Sequence, residues 1–246
     1  MLILLPPSEG KAAPSNGPPV ELDALAFAAE LTESRQKLLG ALERLAAKPR
    51  ERAVAMLGLS PNQAGEVEVD ARLCGAPAAP AADVYTGVLY DRLGLPALPK
   101  RARERVLIAS ALWGVLRPAD RIPYYRFSAK AKLPGIGALA AFWRPALEAA
   151  LPDEEGRLVV DMRSGAYAAA WKPKRAEQLA VRAFTEQGGK RKPVSHMAKA
   201  VRGEVAKALL GAKKAPEDAA AAAEVAAKAG FEVELSRGYL DVIVKP

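Results

Sequence analysis

Met1-Leu2-Ile3-Leu4-Leu5-Pro6-Pro7-Ser8-Glu9-Gly10-Lys11 sets an unbroken aliphatic run against a polar turn. The run reads as a short buried strand, and the proline pair, which lacks backbone donors, ends it. The strand delivers Ser8, Glu9, Gly10 and Lys11 to its exit loop, the kind of place where function sits on a rigid base. The loop lacks the full spacing of a phosphate-binding P-loop.

Outward from this strand the chain alternates helical and strand-like stretches. Leu22 to Leu45 predicts two helices with a capping break at Thr32-Glu33-Ser34, and Glu51 to Leu57 predicts another that stops at Gly58. Ala76 to Ala82 is a Pro/Ala loop and a candidate boundary. Arg103 to Leu116 predicts a buried strand followed by a turn or short helix. Leu158 to Met162 is strand-like and runs into Arg163-Ser164-Gly165-Ala166-Tyr167, and Ala180 to Phe184 is a further strand candidate. Met197 to Leu210 and Ala215 to Ala229 predict helices, the second with Pro216 near its start and Gly230 closing it. Phe231 to Leu235 and Tyr239 to Val244 predict an antiparallel pair joined by Ser236-Arg237-Gly238. The fold class is α/β, a mixed α+β arrangement in one compact domain over 1–246.

The 246 residues are half apolar and about a quarter charged, a globular composition with room for a substantial core. No apolar stretch is long enough to span a bilayer, and the N-terminal run lacks a basic leader, so a cytoplasmic protein with no membrane partner is expected. One cysteine, Cys74, excludes an internal disulfide, and one histidine, His196, excludes a His-rich metal centre. No cofactor and no metal are expected, although a carboxylate Mg²⁺ site stays open on counting alone. Ser195 beside His196 is adjacent in sequence only, which implies no nucleophile–base geometry.

The chain carries 36 Lys and Arg against 28 Asp and Glu, a net charge of +8. Lys100 to Arg144 accounts for +8 and Trp171 to Lys214 for +9, so the remainder is acidic. Two basic segments that converge on one face attract polyanions over about a Debye length, roughly 8–10 Å, and nucleic acid is the leading polyanion. Within the first segment, Leu133-Pro134-Gly135-Ile136-Gly137 followed by Ala138 to Phe142 reads as the hairpin of a helix-hairpin-helix element spanning 124–150. Its glycines, Gly135 and Gly137, permit positive φ, and helix N–H groups bind a phosphate without reading a base. Lys130 and Lys132 add two charges. Tyr125 to Lys130, however, alternates like a strand where the first helix belongs. A second constellation collects phosphate-binding candidates Arg117, Arg126, Arg163, Lys199 and Arg202 with Ser8, Glu9, Tyr85, Thr86, Ser164 and Tyr167 as other cleft residues. Lys11 and Asp161 are the candidate catalytic groups.

These residues resemble the YaaA family of bacterial peroxide stress resistance proteins over nearly the whole chain. The likeness rests on Met1 to Leu4 with Pro7 to Lys11, on Val84-Tyr85-Thr86-Gly87, and above all on Ser110 to Asp120 followed by Pro123-Tyr124-Tyr125-Arg126. Phe142-Trp143, Asp161 to Tyr167, Ser195 to Gly203 and Gly238-Tyr239 follow in the family's order. The resemblance implies a compact fold of the family's own type, a positively charged cleft, a helix-hairpin-helix element, and DNA binding that serves oxidative-stress protection. It also implies a link to limiting free iron. The Ser8-Glu9-Gly10-Lys11 loop replaces a shorter Pro-Ala-Lys loop of the enterobacterial members.

Two functions follow as expectations. The first is a stress protein that binds single-stranded, duplex or branched DNA through phosphates, with little sequence preference. The second is an enzyme acting on a nucleotide or nucleic-acid base, with a small nucleotide as ligand, in which Lys11, Arg117, Arg126 and Arg202 hold phosphate and Asp161 or Glu9 moves protons. Direct iron binding would fall to carboxylates alone.

Overall fold

The computed structural model describes residues 1–187 and 190–244, with the backbone alone at 187, 190, 195 and 196. The strands are β1 (Leu2–Leu5), β2 (Ala78–Pro80), β3 (Val106–Ser110), β4 (Gly114–Leu116), β5 (Arg121–Pro123), β6 (Leu158–Asp161), β7 (Glu177–Gln187), β8 (Lys190–Pro193), β9 (Glu232–Ser236) and β10 (Tyr239–Val244). The helices are α1 (Ala28–Ala46), α2 (Arg50–Leu57), α3 (Glu66–Asp70), α4 (Ala81–Val84), α5 (Val88–Leu93), α6 (Lys100–Arg103), α7 (Leu139–Ala150), α8 (Gly165–Ala168), α9 (Ser195–Gly211) and α10 (Ala219–Lys228).

The main sheet runs β4-β3-β1-β6-β7-β10-β9, with β8 paired to β7, while β2 and β5 form a separate antiparallel pair. β1 is parallel to both its neighbours, with Ile3 opposite Val106 and Val160. All four of its residues are buried, as an aliphatic strand inside a sheet requires. The chain leaves β1 for β3 on one side and later returns to β6 on the other, so the strand order reverses at β1. In open α/β sheets ligands bind at the carboxyl ends of strands where the order reverses. Here those ends are residues 6–11, Ser110 and Asp161–Arg163. One apolar core, from Leu2 to Val242, joins the sheet to its helices, and the Pro/Ala segment at 76–82 contributes Ala78, Ala81 and Ala82 to buried positions rather than marking a boundary.

Several expectations change. The 22–45 segment has its break earlier, at Leu25–Phe27 after a 3₁₀ turn, and α1 runs through Thr32-Glu33-Ser34. Leu31, Arg35, Leu38 and Leu42 keep one face of α1 in the core across that point. Gly114 opens β4, which folds back antiparallel on β3. Residues 124–138 hold neither a strand nor a helix, so α7 is the one helix of the expected helix-hairpin-helix region.

The Ser110 to Asp120 signature is a structural staple. Arg35, 0% exposed, donates to the carbonyls of Trp113 at 3.1 Å, Val115 at 3.1 Å and Ala26 at 2.8 Å. Gly114 has φ +73°, and a Cβ there would sit 2.8 Å from Trp143. Asp120 accepts the N–H groups of Arg117 at 2.9 Å and Ala26 at 3.0 Å. Among the described residues no helix is long and apolar enough to cross a membrane.

Candidate active site at the carboxyl ends of the central strands

Pro6 and Pro7 release the chain from the sheet, and it then lies beside the 84–86 segment. Ala12 N–H donates to Val84 at 2.8 Å, and Thr86 N–H donates to Gly10 at 3.1 Å. Ser8 Oγ donates to the Thr86 carbonyl. These bonds set Lys11 opposite Tyr85 in an isolated antiparallel bridge. The Lys11 ammonium donates to the Ser8 carbonyl at 2.7 Å and lies 4.4 Å from the Tyr125 ring centroid and 5.6 Å from that of Tyr85. Among the described residues it makes no ion pair, so aromatic faces stand where a carboxylate would ordinarily be. Burial, aided by the Arg126 charge, lowers its pKa to about 8 against the pull of Asp70, Glu9 and Glu66.

A hydroxyl chain closes the wall of the recess. Tyr85 and Tyr125 share a hydrogen bond of 2.6 Å, and Tyr125 shares one of 2.8 Å with Ser110, whose Oγ also accepts from Trp113 N–H at 3.0 Å. Tyr90 stacks on Tyr85 at 5.5 Å and donates to the Pro6 carbonyl at 2.7 Å. Burial raises the pKa of Tyr85, Tyr90, Tyr125 and Tyr167, so these phenols act as neutral hydrogen-bonding groups.

Asp70 at the end of α3 is 2% exposed. Its Oδ1 accepts the Arg126 N–H at 2.8 Å, and its Oδ2 has no partner. Burial raises its pKa to about 7, with the single hydrogen bond and the Lys11 and Arg126 charges opposing. Glu66, one turn earlier, accepts from the Tyr124 hydroxyl at 2.9 Å and has its second oxygen unpartnered. A groove of about 570 Å³ opens beside this pair, lined by Glu66, Val69 and Tyr124 among others. Arg126 spans the site, its guanidinium donating to the Glu9 carbonyl at 3.3 Å. A buried carboxyl that titrates near pH 7 beside an amine that titrates near pH 8 is a general acid–base arrangement. Among the described residues no group of three or more His, Cys, Asp or Glu gathers as a metal site.

The structure thus brings Ser8, Glu9, Lys11, Tyr85, Thr86, Arg126 and Tyr167 together. It places other expected residues differently. Asp161 and Arg163, with side chains 3% exposed, form a bidentate pair at 2.9 Å; Gln178 donates to Asp161, and the Trp171 carbonyl accepts from Arg163. Both charges are spent inside the fold, so Asp161 positions the 163–167 loop instead of facing a ligand. Arg202 donates to the Val181 carbonyl at 3.1 Å, and burial lowers its pKa against the attraction of Asp161. Ser164 is exposed ahead of α8, and Lys199 is exposed on α9. Arg117 follows β4, which runs opposite to β3, and reaches the Glu104 carbonyl at 3.5 Å. That is the other end of the sheet, because the antiparallel return carries Arg117 away from the recess. The side chains of Ser195 and His196 lie outside the described residues.

Gly135 and Gly137 have φ +78° and +73° with open space around them, and Lys130 and Lys132 are exposed just before them. This turn precedes α7 and lies on the segment that begins with Tyr125 and Arg126 in the recess. Asp70, Glu66 and the role of Tyr124 escaped the sequence reading. Tyr124 stands in the Pro123 to Arg126 motif with no local sign of its role, and nothing local distinguishes Asp70 from a surface acid.

The family described as peroxide stress protein YaaA matches residues 1–234. A UPF0246 protein of Streptomyces coelicolor is 46% identical over 242 residues, covering 95% of this chain and 92% of that protein. One of Corynebacterium glutamicum is 38% identical over 247 residues, covering 99% and 98%, and one of a Shewanella species is 31% identical over 248 residues, covering 92% of each.

Proposed function

This chain belongs to the YaaA family of peroxide stress proteins, and we propose that it serves peroxide stress by binding DNA mainly through phosphates, thereby limiting iron-dependent damage. The observation that carries this reading is the open hairpin at Gly135 and Gly137, with Lys130 and Lys132 exposed beside it and the α7 N-terminus behind it. Backbone donors and lysines hold phosphates without sequence preference. Lysines that neutralise phosphates release the cations condensed on them, and ferrous iron held there would be displaced from the DNA it damages.

The test is a titration of single-stranded, duplex and branched DNA at two salt concentrations. Affinity for duplex DNA should fall steeply with salt, and the Lys130→Ala/Lys132→Ala protein should show a log–log slope shallower by about 2, at roughly 0.9 per phosphate contact. An affinity indifferent to salt rejects the reading.

A second reading, an enzyme acting on a nucleotide or nucleic-acid base, draws on a different observation. Lys11 without an ion pair and Asp70 with a buried unpartnered oxygen exceed what a phosphate clamp needs. In this reading Arg126 holds phosphate, and Asp70 replaces Asp161 as the acid–base group.

A further inference from the structure

We propose that Lys11 is a nucleophilic amine that forms an imine with the open-chain aldehyde carbon of a deoxyribose unit, with the Asp70 carboxyl moving the protons. The proposal deepens the second reading and rests on it: the recess must first accept a sugar unit of nucleic acid or of a nucleotide.

Three observations carry it. Among the described residues Lys11 uses one of its three donors, on the Ser8 carbonyl at 2.7 Å, and the aromatic faces of Tyr125 and Tyr85 lie against it in place of a counter-ion. A structural lysine in such a place would be paired, because desolvation without a partner costs free energy and favours the neutral amine that attacks carbonyls. Second, Asp70 is 2% exposed with Oδ2 unpartnered, so its carboxyl has a free oxygen to give and take a proton. Third, Arg126 ties the two groups to one place: its N–H donates to Asp70 Oδ1 at 2.8 Å and its guanidinium to the Glu9 carbonyl at 3.3 Å, in the loop that carries Lys11. Arg126, Glu9 and Glu66 are the further charged groups around the pair, with the neutral phenols of Tyr85 and Tyr125 beside them. Lys11, with a pKa of about 8, is half free amine near that pH, while Asp70 at about 7 still holds its proton in part of the molecules.

The step balances without an oxidant or reductant. The Nζ lone pair forms a bond to the aldehyde carbon, the carbonyl π pair moves to oxygen, and that oxygen takes the Asp70 proton. The nitrogen of the carbinolamine returns a proton to the Asp70 carboxylate. Asp70 then gives it to the hydroxyl, which leaves as water as the C=N bond forms. An amine, an aldehyde and one proton become a protonated imine and one water.

Full-chain protein is incubated with sodium cyanoborohydride and one of four probes: duplex DNA with a single abasic site, the same duplex intact, duplex with a tetrahydrofuran analogue that has no aldehyde, and free deoxyribose 5-phosphate. The expected result is a reduced adduct whose peptide mass places it on Lys11. Adduct on abasic DNA assigns the sugar to nucleic acid, and adduct on deoxyribose 5-phosphate alone assigns it to a small metabolite. Lys11→Arg should keep the charge and lower trapping at this position about 100-fold or more, and Asp70→Asn should slow trapping by a similar factor and remove the acid limb of its pH profile. An adduct elsewhere, the Met1 amine included, or no adduct at all, overturns the proposal. If the tetrahydrofuran duplex binds more tightly than intact duplex while no adduct forms, the recess reading stands and the imine fails. If neither preference nor adduct is seen, both fail.

Discussion

Asp70 is a carboxyl that the fold would rather keep protonated. Its pKa of about 7 in the native state exceeds that of an unfolded aspartate, so the native state binds the extra proton between those values. Native stability is therefore greatest, as far as this group is concerned, below pH about 4, and it is lost as pH rises to about 7. Asp70→Asn keeps an acceptor for the Arg126 N–H and removes the titration. The variant should be more stable than the wild type by an amount that grows from pH 4 to pH 7, reaches on the order of a few kcal/mol, and stays level above, as urea denaturation at stepped pH would show. Arg35 is the opposite case, since two of its carbonyl bonds tie α1 to the β3–β4 return and the third holds Ala26 ahead of the helix. Arg35→Met should cost about 3–5 kcal/mol in the same assay, because it leaves buried carbonyls without donors. Lys11 was legible in the sequence because it ends a loop after an aliphatic strand. Arg35 and Asp70 were not, since their burial is decided by Trp113, Val115 and Arg126, dozens of residues away in the chain.

At the level of elements, periodicity and punctuation were enough wherever one segment settles its own structure. β1, β6, the β9–β10 hairpin and α9 follow from apolar runs, from Gly238 and from the spacing of Val201, Val205 and Leu209. Local signals misled where tertiary contact overrides them. Thr32 and Ser34 look like caps, yet the core face of α1 continues past them. Residues 125–130 alternate like a strand, yet Tyr125 and Phe127 are buried without a strand partner while Arg126 is drawn to Asp70 and Glu9. The glycines separate two kinds of requirement. A Cβ on Gly203 would overlap the Leu89 carbonyl, so α9 rests directly on α5. Gly203→Ala should part these helices and cost about 1–3 kcal/mol by chemical denaturation. Gly135→Ala meets only its positive φ, costs about 1–2 kcal/mol, and leaves the fold intact enough to test the hairpin.

Across the whole molecule, the two basic segments do not contribute alike. In the second, Arg182 is held by Asp241 at 2.6 Å, Arg191 by Glu186 and Glu234, and Lys174 by Glu148 at 2.9 Å. Part of that segment's charge is thus answered within the chain, which counting along the sequence could not reveal. Arg191→Ala should accordingly leave the salt slope of DNA binding unchanged, in contrast to the Lys130/Lys132 pair. The position of β1 has a further consequence, in time. Its partners are β3 and β6, and about 150 residues separate its end from the start of β6. At roughly 5–20 residues per second, synthesis of that stretch takes about 8–30 s. Throughout that interval four aliphatic side chains made early have no second neighbour to pair with. The centre of the sheet is thus completed on the clock of the ribosome, and a strand buried at all four of its residues is the one that spends longest needing shelter.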